Sequence, residues 1–134
     1  MRKILLATHG TFAKGILNSL SIIMGEQSNI ECLCAYLDGE DCIEQQVKTI
    51  VESKDANVDL VVVTDVFGGS VNNEFMKYLD VNGLYLISGL NLNLLLELTT
   101  SEETSTDKMI KDILEKRNDF VKYCERKSIS DEEF

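Results

Sequence analysis

A single histidine, no proline, no long apolar run and a shortage of lysine and arginine set this sequence apart. Thirteen basic residues stand against 23 acidic ones, giving a formal net charge of −10. That balance argues against nucleic acid and against an anionic membrane surface, because both are met by clustered Lys and Arg. An acidic surface suits a soluble protein that meets basic or mixed protein patches. No apolar run reaches the length needed to cross a bilayer. The stretch Met1-Arg2-Lys3-Ile4-Leu5-Leu6-Ala7 faintly imitates a secretion signal, but it breaks at Thr8-His9-Gly10, too early for one. It reads as a strand, and a cytoplasmic location is the expectation. Four cysteines are present (Cys32, Cys34, Cys42 and Cys124), yet no Cys-x-x-Cys pair occurs and the lone histidine adds little to a zinc set. No metal is expected. Cys32 and Cys34 lie two apart, share one face of a strand and pack as small hydrophobes; a reducing compartment disfavours disulfides. The missing proline excludes nothing, and we have no physical account of it.

What is present is the pattern of a layered α/β domain. The chain has 134 residues, of which 44% are hydrophobic, enough to bury roughly two-thirds of the unfolded surface in one core. Four apolar runs alternate with helical periodicity, the signature of a parallel sheet. The runs are Ile4-Leu5-Leu6-Ala7, Ile30 to Leu37, Leu60-Val61-Val62-Val63 and Leu84-Tyr85-Leu86-Ile87. The third is β-branched, continuous and without a polar face, as a strand covered on both sides must be. Between them lie apolar stripes at helical spacing. Phe12, Ile16, Leu20, Ile23 and Met24 form the first, ended by Gly25. Ile43, Val47, Ile50 and Val51 form the second. Val71, Phe75 and Leu79 form the third, stopped near the turn dipeptide Asn82-Gly83. A short apolar helix is expected over Asn91 to Leu98 and a polar loop over Thr99 to Ser105. A longer helix from Thr106, its cap, to Cys124 carries Ile110, Ile113, Leu114, Val121 and Cys124. One domain over residues 1–127 and a short acidic tail over 128–134, to which we assign no function, complete the division.

Topology then points to chemistry. In open α/β sheets ligands sit beyond the carboxyl ends of the strands, where the strand order reverses. With strand order 2-1-3-4, strands 1 and 3 are neighbours at that reversal. Thr8-His9-Gly10-Thr11 follows the first, and Thr64-Asp65-Val66-Phe67-Gly68-Gly69-Ser70 follows the third. Folding logic alone therefore brings His9 and Asp65 together. A carboxylate accepting from one ring N–H fixes the tautomer and leaves the other nitrogen as a nucleophile. Gly68-Gly69-Ser70 precedes a helix, so backbone N–H groups and the positive helix end point to the same pocket, where glycine permits close approach of an anion. Thr8 and Gly10 join the proposed phosphate cradle. Ser70 is read as a helix cap, as a hydroxyl donor to phosphate, or as both. Without a Walker-type Gly-Lys-Ser/Thr, nucleotide binding is not supported. Phe67 is read equally as an apolar contact beside the site and as core.

On these residues the sequence resembles the IIA component of the mannose-fructose-sorbose family of the bacterial phosphotransferase system. The resemblance rests on Thr8-His9-Gly10, Gly25-Glu26, Gly39-Glu40, Asp65-Val66-Phe67-Gly68-Gly69-Ser70 and Gly89-Leu90-Asn91, in that order and spacing. It implies a flavodoxin-like three-layer sandwich with a mainly parallel sheet, an added antiparallel edge strand, and a homodimer. It implies a phosphotransferase with a phosphohistidine intermediate and no cofactor. HPr donates a phosphoryl group to Nε2 of His9, Asp65 orients the ring, and a IIB domain accepts the group; membrane IIC and IID partners then move the sugar. Where the family often reads Gly-Gly-Ser-Pro-x-Asn, this chain has Val71, whose N–H stays available. Three rivals are weighed. A phosphotransferase subunit serving dihydroxyacetone kinase usually lacks the Asp-x-x-Gly-Gly-Ser pattern. A receiver-like domain phosphorylated on aspartate needs acidic residues where His9 stands. A non-catalytic interaction module needs neither residue.

Overall fold

The computed structural model describes residues 1–37 and 42–126. The pair Gly39-Glu40 and the acidic tail 128–134 lie outside the described residues. Strands β1 (Arg2–His9), β2 (Ile30–Ala35), β3 (Asp59–Thr64) and β4 (Leu84–Ser88) alternate with helices α1 (Phe12–Met24), α2 (Ile43–Glu52), α3 (Ser70–Met76) and α4 (Leu92–Thr100). Helix α5 (Thr106–Leu114) and a 3₁₀ turn at Arg117–Asp119 follow. The sheet runs β2-β1-β3-β4, and every pairing is parallel. This is the strand order the sequence predicts. Among the described residues no fifth strand joins the sheet.

Period-two alternation divides the apolar strands between two cores. Ile4, Leu6, Val61, Val63 and Ile87 face one side, against Ile16 and Leu20 of α1, Leu94, Leu95 and Leu98 of α4, and Met109 and Ile113 of α5. Leu5, Ala7, Leu60, Val62 and Leu84 face the other, against Val47 and Val51 of α2 and Val71 and Phe75 of α3. Cys32 and Cys34 pack at the margin of the first core. The register sets His9 beside Ala35 and Ala7 beside Thr64, so the loops after β1, β2 and β3 open on one edge of the sheet.

Several predicted boundaries move. Strand β2 stops at Ala35, and Tyr36 turns out of it with a left-handed φ of 65°. Of the predicted α1 stripe, Ile16 and Leu20 are buried, whereas Phe12, Ile23 and Met24 are exposed. Leu79 lies beyond α3 and is also exposed. Helix α4 continues through Thr99 and Thr100, whose hydroxyls bond back to the carbonyls of Leu95 and Leu96 at 2.7 and 2.9 Å. Threonines so satisfied extend a helix that their polarity would end.

The cap of α5 is Ser105, which accepts from the Lys108 N–H. Thr106 instead bridges the sheet: it accepts from Arg2 Nε at 3.0 Å and donates to Asp59 Oδ2 at 2.7 Å. Helix α5 ends at Leu114, ten residues short of the predicted Cys124. The Arg117 guanidinium takes up the Leu114 carbonyl, and Phe120 folds back on the first core while its carbonyl accepts from Asn93. Val121 and Cys124 therefore lie exposed. Ile113→Ala, which opens a cavity in the first core, is expected to cost about 2–5 kcal/mol in urea unfolding. Val121→Ala is expected to stay within about 0.5 kcal/mol. Equal losses would restore the single long helix.

Candidate active site

Strands β1 and β3 are adjacent, and their carboxyl ends carry His9 and Asp65. Both hydrogen bonds between the two residues fall on one carboxylate oxygen. Asp65 Oδ2 accepts from the His9 backbone N–H and from ring Nδ1, each at 2.9 Å, while Oδ1 accepts from the Val66 N–H at 3.0 Å. The Asp65 side chain is only 11% exposed and that of His9 is 43% exposed. Burial acts to raise the Asp65 pKa. The donors from the His9 backbone and ring, with the charge of the ring, outweigh it and hold the carboxyl below its ordinary value. An ionised carboxylate accepts only, so Nδ1 carries a hydrogen, and in the neutral ring the lone pair falls on Nε2.

The ring is held on its other sides as well. Ser70 Oγ lies 3.4 Å from Nε2 and 2.7 Å from the Tyr36 hydroxyl. The Tyr36 ring stacks on the imidazole, with centroids 5.5 Å apart and planes inclined by 22°. Gly69 closes the floor: a Cβ there would stand 3.3 Å from His9 Cε1 and 3.2 Å from the Val66 carbonyl. A side chain at that position would make the ring or the Val66 backbone give by a few tenths of an ångström.

Not every residue of the predicted cradle reaches the pocket. Thr8 is fully buried, and its hydroxyl accepts from the Ala13 N–H at 2.9 Å, which anchors the start of α1. The N–H of Gly10 donates to the Ala35 carbonyl at 2.8 Å, so this glycine serves the turn through its φ of 59° rather than an anion. In both places a polar group is already engaged inside the protein, the Thr8 oxygen at the start of α1 and the Gly10 N–H at the end of β2. Gly68 takes a φ of 83°, and its carbonyl accepts from Asn73. Gly69, not Ser70, is the helix cap, which leaves the Ser70 hydroxyl free to face His9. Val71 points into the second core and Phe67 into solvent. The apolar run that predicts strand 2 continues through Leu37 and so hides Tyr36, which lies just past the end of β2. Its signal was its place directly after the strand that borders β1.

Among the described residues no helix is long and apolar enough to cross a membrane. A family model for the fructose IIA component of the phosphotransferase system matches residues 3–114. A Klebsiella pneumoniae structure, provisionally described as a phosphoenolpyruvate-dependent sugar phosphotransferase system permease, is similar at 41% identity. It covers 94% of this chain and 93% of its own, with a TM-score of 0.88. The IIA protein associated with the fucose utilization operon of Streptococcus pneumoniae is 27% identical over 90% of this chain and 92% of its own, with a TM-score of 0.73. The mannose/sorbose specific IIA subunit of Enterococcus faecalis is 25% identical over 92% and 95%, with a TM-score of 0.76. With its four parallel strands and its imidazole–carboxylate pair on adjacent strand ends, the chain belongs to the mannose- and fructose-type IIA components of the phosphotransferase system.

Proposed function

We propose that this protein is a soluble, cytoplasmic phosphoryl carrier in which Nε2 of His9 accepts the group from phospho-HPr and delivers it to a IIB domain. The observation that carries the reading is the bond from Nδ1 to Asp65, which leaves Nε2 of a half-exposed neutral ring as its nucleophilic nitrogen. In the forward step the Nε2 lone pair forms a bond to phosphorus. The bond from phosphorus to the donor imidazole breaks, and its electron pair returns to that nitrogen. As positive charge develops on the His9 ring, Asp65 stabilises it, and the Nδ1 proton stays where it is. The Ser70 hydroxyl, released from the lone pair, can donate to a phosphoryl oxygen. Positioning and charge neutralisation are all such a transfer needs, since phosphoryl groups pass through loose, metaphosphate-like arrangements. No cofactor enters the scheme.

Transfer between proteins also requires an approachable surface. Phe12, Val66 and Phe67, close in the chain to His9 and Asp65, are exposed and supply apolar contact for a docking partner. The IIB acceptor in turn phosphorylates the sugar carried by its IIC and IID membrane partners, and the protein acts as a homodimer.

Incubation with phosphoenolpyruvate, enzyme I and HPr should add one phosphoryl group, as read by mass. The product should be labile to acid and stable to base, as a phosphoramidate is. His9→Ala should take up none. Asp65→Asn should slow uptake by at least about a hundredfold, because an amide N–H facing Nδ1 favours the wrong tautomer. Undiminished labelling of His9→Ala, or a base-labile product, would remove the proposal.

The lowered Asp65 pKa has a second consequence. A depressed carboxylate stabilises the fold fully above its unfolded value of 3.8, and that stabilisation is lost as pH falls through the folded value. In urea unfolding, wild type should therefore exceed Asp65→Asn by about 1–3 kcal/mol near neutrality. The gap should not shrink above about pH 5 and should be lost only below it. A gap that closes between pH 7 and 5 would contradict the direction of the shift.

A further inference from the structure

We infer that Tyr36 is a positioning residue for phosphoryl transfer, its ring fixing the plane of the His9 imidazole and its hydroxyl aiming the Ser70 hydroxyl at Nε2. The inference rests on the carrier reading above and assigns a part in it to a side chain outside the glycine-rich loop. Its first support is directional. Nδ1 donates to Asp65, so in the neutral ring Nε2 accepts, and the Ser70 hydroxyl, 3.4 Å away, is the side-chain donor within its reach. Having spent its one hydrogen there, Ser70 Oγ has only acceptor capacity left for its 2.7 Å contact with Tyr36. The phenol is therefore the donor. The order runs from the Tyr36 O–H to Ser70, and from the Ser70 O–H to Nε2.

The second support is conformational. Tyr36 is the only non-glycine residue at positive φ among the described residues, and an aromatic side chain enters that region only when its surroundings hold it there. A tyrosine continuing strand β2 would leave its ring on a face of the sheet. The left-handed turn one residue past Ala35, which pairs with His9, instead lays the ring over the imidazole. Packing at the edge of the second core accounts for the presence of an aromatic ring. It does not account for a hydroxyl placed within 2.7 Å of the serine that faces the nucleophile.

The relay has a use in both states of the carrier. Before transfer the stack and the Ser70 contact hold the imidazole plane, and with it the in-plane lone pair of Nε2, in one direction. When that pair forms the bond to phosphorus and the donor nitrogen recovers its own pair, the Ser70 hydrogen loses its acceptor. With Tyr36 still donating to Ser70 Oγ, the freed hydrogen can turn towards the arriving phosphoryl oxygens. The stacked ring meanwhile lies over an imidazole that becomes positive, a favourable cation–π arrangement.

The test is rapid-quench single-turnover phosphorylation of the full chain by phospho-HPr, comparing wild type, Tyr36→Phe, Tyr36→Leu, Ser70→Ala and the double variant Tyr36→Phe/Ser70→Ala. Tyr36→Phe keeps the ring and removes the relay. It should lower the maximal rate about three- to tenfold, the worth of one hydrogen bond, with the half-saturating donor concentration unchanged within about twofold. Tyr36→Leu, which also loses the stack, should be slower still. In the Ser70→Ala background the Tyr36→Phe change should have no further effect, because its only route to Nε2 is gone. A wild-type rate in Tyr36→Phe would overturn the inference, as would an equal loss in the Ser70→Ala background or a loss confined to donor affinity. Any of these with a normally phosphorylated wild type leaves the carrier reading standing. A wild type that never gains the group brings down both.

Discussion

A neutral imidazole carries one nitrogen that donates and one that accepts, and nothing inside the ring decides which is which. Here the decision is made by a carboxylate from another strand. Asp65 Oδ2 takes both the ring N–H and the backbone N–H of His9, so it fixes the tautomer and the ring's position with one atom. A carboxylate this buried would ordinarily favour its protonated form; two donors from His9 and one from Val66 keep it ionised. Each partner thus maintains the state the other needs. Ser70, Gly69 and Tyr36 add position to a ring whose chemistry this pair has already set.

The scaffold exists to bring that pair together and keep it still. His9 and Asp65 are 56 residues apart in the chain, and a parallel β1–β3 pairing closes the distance because both strands are covered on both faces. Val61, Val62 and Val63 are wholly buried, with alternate residues feeding the two cores. A slip of one residue would move every apolar side chain to the wrong layer, so the hydrophobic pattern that stabilises the sheet also fixes where the imidazole meets the acid. The geometry of the pair is a by-product of register, and the sheet edge that carries it is exposed.

Much of this was legible in the residues. Continuous apolar runs between helical stripes mark the strands, and the reversal of strand order between β1 and β3 points to His9 and Asp65. What escaped was local. Thr8 and Gly10 looked like cradle residues, but their polar groups are engaged inside the protein, and a sequence does not show which hydroxyl is already spent. Thr99 and Thr100 looked like a loop because their back-bonding to helix carbonyls is invisible in composition. Tyr36 is hidden in an apolar run that continues through Leu37, and no propensity anticipates a tyrosine in the left-handed region. The last helix stops at Leu114 with no breaker residue to mark it, and Phe120 beyond it folds back on the first core.

The central claim is a statement about two nitrogens, and it is open to direct observation. Long-range ¹⁵N–¹H correlation of the His9 ring near neutral pH should show the hydrogen on Nδ1 and an unprotonated Nε2. After treatment with phospho-HPr, ³¹P coupling should appear at Nε2 while Nδ1 keeps its hydrogen. A ring protonated on Nε2 in the resting protein, or phosphorus coupled to Nδ1, would contradict the account.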